Sequence, residues 1–308
     1  VGNILLVIAC LLLGMLARRS QRFPDATPTV LSRVVIDLAL PALTLLLVPR
    51  LTLDGGAGLA IVVAAVAVPW LLFALALGVL AALARARGWS RATLGALVLT
   101  SGLANTAFVG FPLIEALYGA RALPTAILVD QAGSFVVVST AGVALAAACA
   151  GRERPTPAAL ARRLASFPPF LAFVLALLLH GVIFPPILVV VLEKLSALVV
   201  PLALLSVGYQ LRFDRQTLAR DGGKLGAALA VRLALAPLVV WLCLRAAGLH
   251  GEAASVIVAQ SAMGPMVTGA VLAVEEDLDP PLATLIAGVG IPLSLVTVPL
   301  WTWLLRML

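Results

Sequence analysis

Charged side chains are scarce in this chain: 11% of its 308 residues are Asp, Glu, Lys or Arg, against 62% that are hydrophobic. A soluble domain needs far more polar surface than that. Polar linkers are short as well, which leaves no room for a separate soluble domain. Histidine and cysteine are rarer still, at two and three residues. Cys10, Cys149 and Cys243 lie in or beside apolar runs, no two are spaced as CxxC, and His180 and His250 stand far apart. That pattern suggests neither a disulfide framework nor a metal site, and no cofactor is expected. A P-loop, a glycine-rich dinucleotide motif and a hydrolytic triad are all missing, which speaks against an enzyme and against transport driven by ATP on this chain. Acidic residues are the scarcer sign, 14 against 21 basic ones, giving a net charge of +7. The basic residues flank apolar runs and are not interleaved with exposed aromatics, so nucleic acid is not the expected partner.

What remains is apolar sequence in long runs, and the mean hydropathy is +1.14. The runs are long enough to cross a hydrocarbon core of about 30 Å at about 1.5 Å per residue. We read ten spans, at 3–17, 31–49, 58–83, 93–117, 122–148, 167–184, 187–209, 225–247, 252–274 and 282–303. Charge after the first run (Arg18, Arg19) rather than before it marks a retained helix, not a signal peptide. Loops after odd-numbered spans hold most of the basic residues: Arg18, Arg19, Arg22, Arg33; Arg85, Arg87, Arg91; Arg152, Arg154, Arg162, Arg163; Arg212, Arg215, Arg220, Lys224. The positive-inside rule puts these loops in the cytoplasm and both termini outside. The expected location is a bacterial inner membrane.

An offset of 160 residues carries Pro41 onto Pro201 and Asn105 onto Pro265. With an odd number of spans per copy, this reads as an all-α integral membrane protein of about ten transmembrane helices in two inverted five-helix repeats. The expected units are 1–150, a short cytoplasmic linker at 151–166, and 167–308.

Two spans are expected to be broken. The fourth carries Gly102, Asn105, Thr106, Gly110 and Pro112, and the ninth carries Gln260, Ser261, Gly264, Pro265 and Thr268. Proline cannot donate to the helix ladder and clashes with the preceding turn. Unwound backbone in a membrane is tolerated only against protein or a water-filled cavity. Half-helix N-termini meeting there would favour an anionic group; the alternative is that both breaks only shape packing. Three ionisable residues lie deep in apolar runs: Asp37, Asp130 with Gln131 and Ser134 beside it, and Arg232. Charges so placed are costly unless paired or hydrated. An Asp there could carry a proton, and Arg232 could hold a carboxylate or pair with an Asp; each could equally be a structural ion pair. Glu115, Tyr209, Gln210 and the acidic run 275–279 read as interfacial or solvated, and the five tryptophans as anchoring or packing residues.

The segments Leu40-Pro41-Ala42-Leu43, Asn105-Thr106-Ala107-Phe108-Val109-Gly110-Phe111-Pro112-Leu113, Ala262-Met263-Gly264-Pro265-Met266 and Ile291-Pro292-Leu293-Ser294 occur in that order. In this the chain resembles the auxin efflux carrier family, bacterial and plant permeases, over almost its whole length. The resemblance implies that helices four and nine cross at their breaks with Asn105 and Pro265 at the crossing. It also implies a homodimer built on a scaffold of the first, second, sixth and seventh helices. The function implied is elevator-type movement of small organic anions such as auxin-like carboxylates, malonate or malate. Thr268 stands where members of that family often have asparagine, and the linker is short, as in bacterial carriers. The fold is also similar to that of sodium–bile acid symporters, in which Asn105, Thr106, Gln260 and Ser261 would be sodium ligands. A dense cluster of such ligands is missing, so a proton-coupled or uncoupled carrier is the expectation.

Overall fold

The computed structural model describes residues 2–50, 55–211 and 214–307; Arg212 lies outside them. The described residues are helical, with a single bridging pair of extended residues. In chain order we label α1 (Gly2–Arg19), α2 (Thr27–Leu47), α3 (Gly58–Arg87), α4 (Arg91–Ser101), α5 (Thr106–Tyr118), α6 (Ala120–Cys149), α7 (Pro157–Ala165), α8 (Pro168–Leu178), α9 (Pro186–Gln210), α10 (Arg215–Ala246), α11 (Glu252–Ser261), α12 (Val267–Glu275) and α13 (Pro280–Met307).

The ten-span, inverted-repeat reading does not hold. Among the described residues six helices (α2, α3, α6, α9, α10 and α13) are long and apolar enough to cross a membrane. The number rises to seven if α7 and α8, bent by 73° at their junction, count as one. The reason is physical. Hydropathy registers an apolar run whether or not the helix within it is continuous. Gly and Pro divide the runs at 93–117 and 252–274, and α4, at 11 residues, reaches only about 16 Å. The run at 167–184 is likewise helical only over Pro168–Leu178, also 11 residues.

Close backbone approach holds the long helices together. Gly14 on α1 faces Gly208 on α9, and an added Cβ at Gly14 would lie 2.9 Å from the Tyr209 nitrogen. Gly133 on α6 lets Pro69 of α3 approach; a Cβ there would lie 2.9 Å from the Ala65 oxygen. Small residues at such contacts are how helices associate where no hydrophobic drive separates protein from lipid. The surfaces left outside are apolar: Leu12 and Leu16 on α1, Leu175 and Leu178 on α8, Val190 and Val191 on α9 are exposed. They suit contact with lipid tails, consistent with a multi-pass membrane protein.

The two ends of the molecule differ. At one end Arg18 donates to the Leu211 carbonyl (3.0 Å), Arg152 pairs with Glu276 (3.0 Å), and Thr93 donates to Asp279 (2.9 Å). Tyr209 belongs to this end too, donating to the Phe23 and Pro24 carbonyls at 3.1 and 3.2 Å. At the other end Arg121 pairs with Glu252 (2.6 Å) and Arg306 donates to the Leu117 carbonyl (3.2 Å).

Candidate functional site

The interruptions in α4–α5 and α11–α12 meet inside the protein. Asn105 N–H donates to the Gly264 carbonyl at 2.9 Å. Met266 N–H donates to the Thr100 and Leu103 carbonyls at 3.1 and 3.2 Å. Ala104 and Pro265 thereby form an antiparallel bridge. The bridge answers a strict demand, since buried backbone groups released from a helix must find partners. Glycine at 264 also lets α13 pack against the bridge: a Cβ there would lie 2.8 Å from Ser294 Oγ and 3.0 Å from Ile291 Cα. Gly110 plays the same part for Gln260. A side chain at Gly110 would overlap the Gln260 amide, which donates to the carbonyls of Thr106 (3.3 Å) and Ala126 (3.5 Å).

Asn105 has φ −79° and ψ 70°, outside the helical region, and its Oδ1 accepts from Phe108 N–H at 3.2 Å. It is therefore the N-terminal cap of α5. Its amide nitrogen, buried, has no protein partner. Asn105 borders a cavity of about 220 Å³, together with Thr106, Ala107 and Phe108 at the start of α5 and Met266, Val267 and Thr268 at the start of α12. Two helix N-termini thus converge on one space, and the positive ends of their dipoles give it positive potential.

Asp130 and Gln131 line the same cavity. They sit in a π-helical turn, Leu128–Ser134, within α6. Thr106 Oγ1 donates to one Asp130 oxygen at 2.5 Å and Gln131 Nε2 to the other at 2.6 Å. Gln131 Oε1 is buried without a partner. Among the residues bordering the cavity are one with an unmatched donor (Asn105), one with an unmatched acceptor (Gln131) and a carboxylate fixed by two donors. Further π turns carry Asp37 (Val35–Ala39), Thr106 (Thr106–Gly110), Ser139 (Val138–Gly142) and Arg232 (Val231–Leu235). Such turns widen a helix and are frequent at functional positions.

The remaining expected residues lie elsewhere. Gln260, Ser261, Gly264, Pro265 and Gly110 pack at the bridge, outside the cavity lining. Pro112 and Glu115, on the far half of α5, line a different cavity of about 440 Å³ with Glu193. Asp37 is exposed, although its neighbours Ile36 and Leu40 reach the first cavity. Ser134 borders a small void beside Gln260. Arg232 is fully buried and donates to the Ser101 carbonyl (3.4 Å) and the Ser261 carbonyl. The acidic run is tied down: Glu276 is paired with Arg152 and Asp279 accepts from Thr93. Among the described residues no three His, Cys, Asp or Glu side chains are grouped to hold a metal ion.

Phe135, Ser139, Arg163, Ser166 and Phe167 are among the lining residues that the sequence reading did not assign to the site. The Phe135 and Phe167 rings stack at 3.9 Å and form an apolar wall. Arg163 and Ser166 are exposed, so the cavity communicates with the arginine-rich end. The segment we read as a linker holds α7, begun by a Thr156 cap (3.2 Å to Ala159 N–H) and Pro157. Thr-Pro ahead of an amphipathic run is a helix-start signal legible in the sequence.

Comparison with known proteins came to the same class of molecule. The profile of a family described as membrane transport protein matches residues 1–302. A protein of Methanothermobacter thermautotrophicus, described as an uncharacterized transporter, is 28% identical over 302 residues, covering 97% of this chain and 96% of the relative. A second uncharacterized transporter, from Methanocaldococcus jannaschii, is 25% identical over 217 residues, 69% of this chain and 68% of its own length.

Proposed function

The chain belongs to the membrane transport protein family, and from that premise we propose that it is a secondary carrier of small organic anions and not an enzyme. The anion's carboxylate sits in the cavity at the starts of α5 and α12. The observation that carries this reading is the unpartnered Asn105 amide nitrogen, buried where two helix N-termini converge. An anion there accepts from Asn105 and meets the positive ends of two helix dipoles. Arg163 at the rim attracts it from solution, and the Phe135–Phe167 wall takes up its apolar part. Asp130 would repel a second negative charge, so it takes up a proton as the anion binds, which couples the two. The cavity of about 220 Å³ suits a substrate of metabolite size. The arginine-rich end faces the cytoplasm under the positive-inside rule, so this cavity is the inward-facing one.

The test is uptake by proteoliposomes holding the full chain, with labelled mono- and dicarboxylates under imposed proton or sodium gradients. We expect saturable accumulation of at least one carboxylate, enhanced by a proton gradient. A folded, reconstituted sample that moves no carboxylate above the protein-free background under any gradient defeats the assignment.

A further inference from the structure

Arg232 takes no part in the cavity. It is fully buried, at 0% exposure, which demands that something balance its charge. Among the described residues its hydrogen bonds run to two carbonyls and to no carboxylate: Nη1 to Ser101 at 3.4 Å and Nη2 to Ser261. Those two residues are the last of α4 and of α11. Each helix end leaves carbonyls without partners and carries roughly half a negative charge. The Ala104–Pro265 bridge brings the two ends together. In the low dielectric of the interior they repel unless a cation lies between them. Carbonyls at unwound helix ends are a usual place for a transported or coupling cation. Here the cation is covalently part of the protein. The Nε group is buried with no partner, so a complete set of hydrogen bonds is not what keeps the guanidinium there; its charge is.

We propose that Arg232 is a tethered counter-ion, fixed in the position a coupling cation would occupy between the C-terminal ends of α4 and α11. The wild-type protein consequently binds no monovalent cation at that point. Without the side chain, the same carbonyls become a site for a small cation. The inference goes beyond the organic-anion reading, and its stability readout does not rest on it.

The test is thermal unfolding of the detergent-purified full chain, followed by tryptophan fluorescence, in millimolar guanidinium, sodium or choline chloride at constant ionic strength. We expect wild type and Arg232→Lys to give the same Tm in all three salts. Arg232→Ala should melt lower in choline and recover by several degrees, saturably, in guanidinium or sodium, because a ligand of the folded state alone raises its stability. Absence of any cation-specific shift in Arg232→Ala, or an equal shift in wild type, overturns the proposal. Should Arg232→Ala not survive extraction, Arg232→Lys and Arg232→Gln carry the comparison. Lys should keep the monodisperse yield in choline, and Gln should reach it only in guanidinium or sodium. Equal yields of the two in choline, or no gain for Gln in either cation, overturn it as well.

Discussion

Single side chains do two separable jobs at the site. Asn105 caps α5 with its oxygen and leaves its nitrogen without a protein partner beside the cavity. Asn105→Ala removes both, and the lost cap alone costs about 0.5–2 kcal/mol of stability. Asn105→Asp keeps the cap while replacing the donor with a negative charge, so it isolates the binding role. A hydrogen bond to a charged group is worth about 1.5–3 kcal/mol, hence we expect Asn105→Asp to raise the uptake KM at least tenfold with little change in Tm. Asp130 gives a second prediction. Asp130→Asn retains an acceptor for Thr106 but cannot exchange a proton at the cavity. Uptake should persist as exchange of internal for external anion, yet lose its response to an imposed pH gradient; a variant still driven by the gradient removes Asp130 from coupling. Of the residues involved, the glycines, prolines and amides at the breaks were legible from sequence because their backbone chemistry is local. The position of Arg232 was not. Its partners Ser101 and Ser261 lie 131 and 29 residues away, and the carbonyls it meets are backbone groups that any residue would supply.

At the scale of elements, the four half-helices around the bridge form one electrostatic arrangement: N-terminal ends of α5 and α12 toward the cavity, C-terminal ends of α4 and α11 toward Arg232. Close packing keeps it in register. Gly269 on α12 lies against the Leu99 carbonyl of α4, where a Cβ would overlap the oxygen. Overpacking typically costs about 1–3 kcal/mol, so Gly269→Ala should lower the Tm by several degrees and impair uptake. Gly78, whose added Cβ would meet no neighbour, is the control: Gly78→Ala should leave both unchanged. Glycine and proline located the interruptions, whereas hydropathy miscounted the crossing helices, because it sees composition and not continuity. It also passed over α7, whose amphipathic run is too polar to register as a span although it delivers Arg163 to the cavity rim.

For the molecule as a whole, the exposed apolar surface suits a protein held in a membrane. Replacing Cys10, Cys149 and Cys243 provides a background for labelling. Glu153→Cys lies between α6 and α7 near the Arg152–Glu276 pair, and His250→Cys lies two residues from Glu252 at the opposite end. A membrane-impermeant maleimide applied to intact cells should label His250→Cys and reach Glu153→Cys only after lysis; the reverse pattern inverts the orientation. Saturation binding of labelled carboxylates to the purified protein tests the proposed anion site most directly. Wild type, Asn105→Asp and Glu115→Gln should be compared, since Glu115 belongs to the other cavity. We expect Asn105→Asp to weaken binding at least tenfold and Glu115→Gln to bind as wild type does. Wild-type affinity in Asn105→Asp, or loss of binding in Glu115→Gln alone, would contradict a carboxylate site at the starts of α5 and α12.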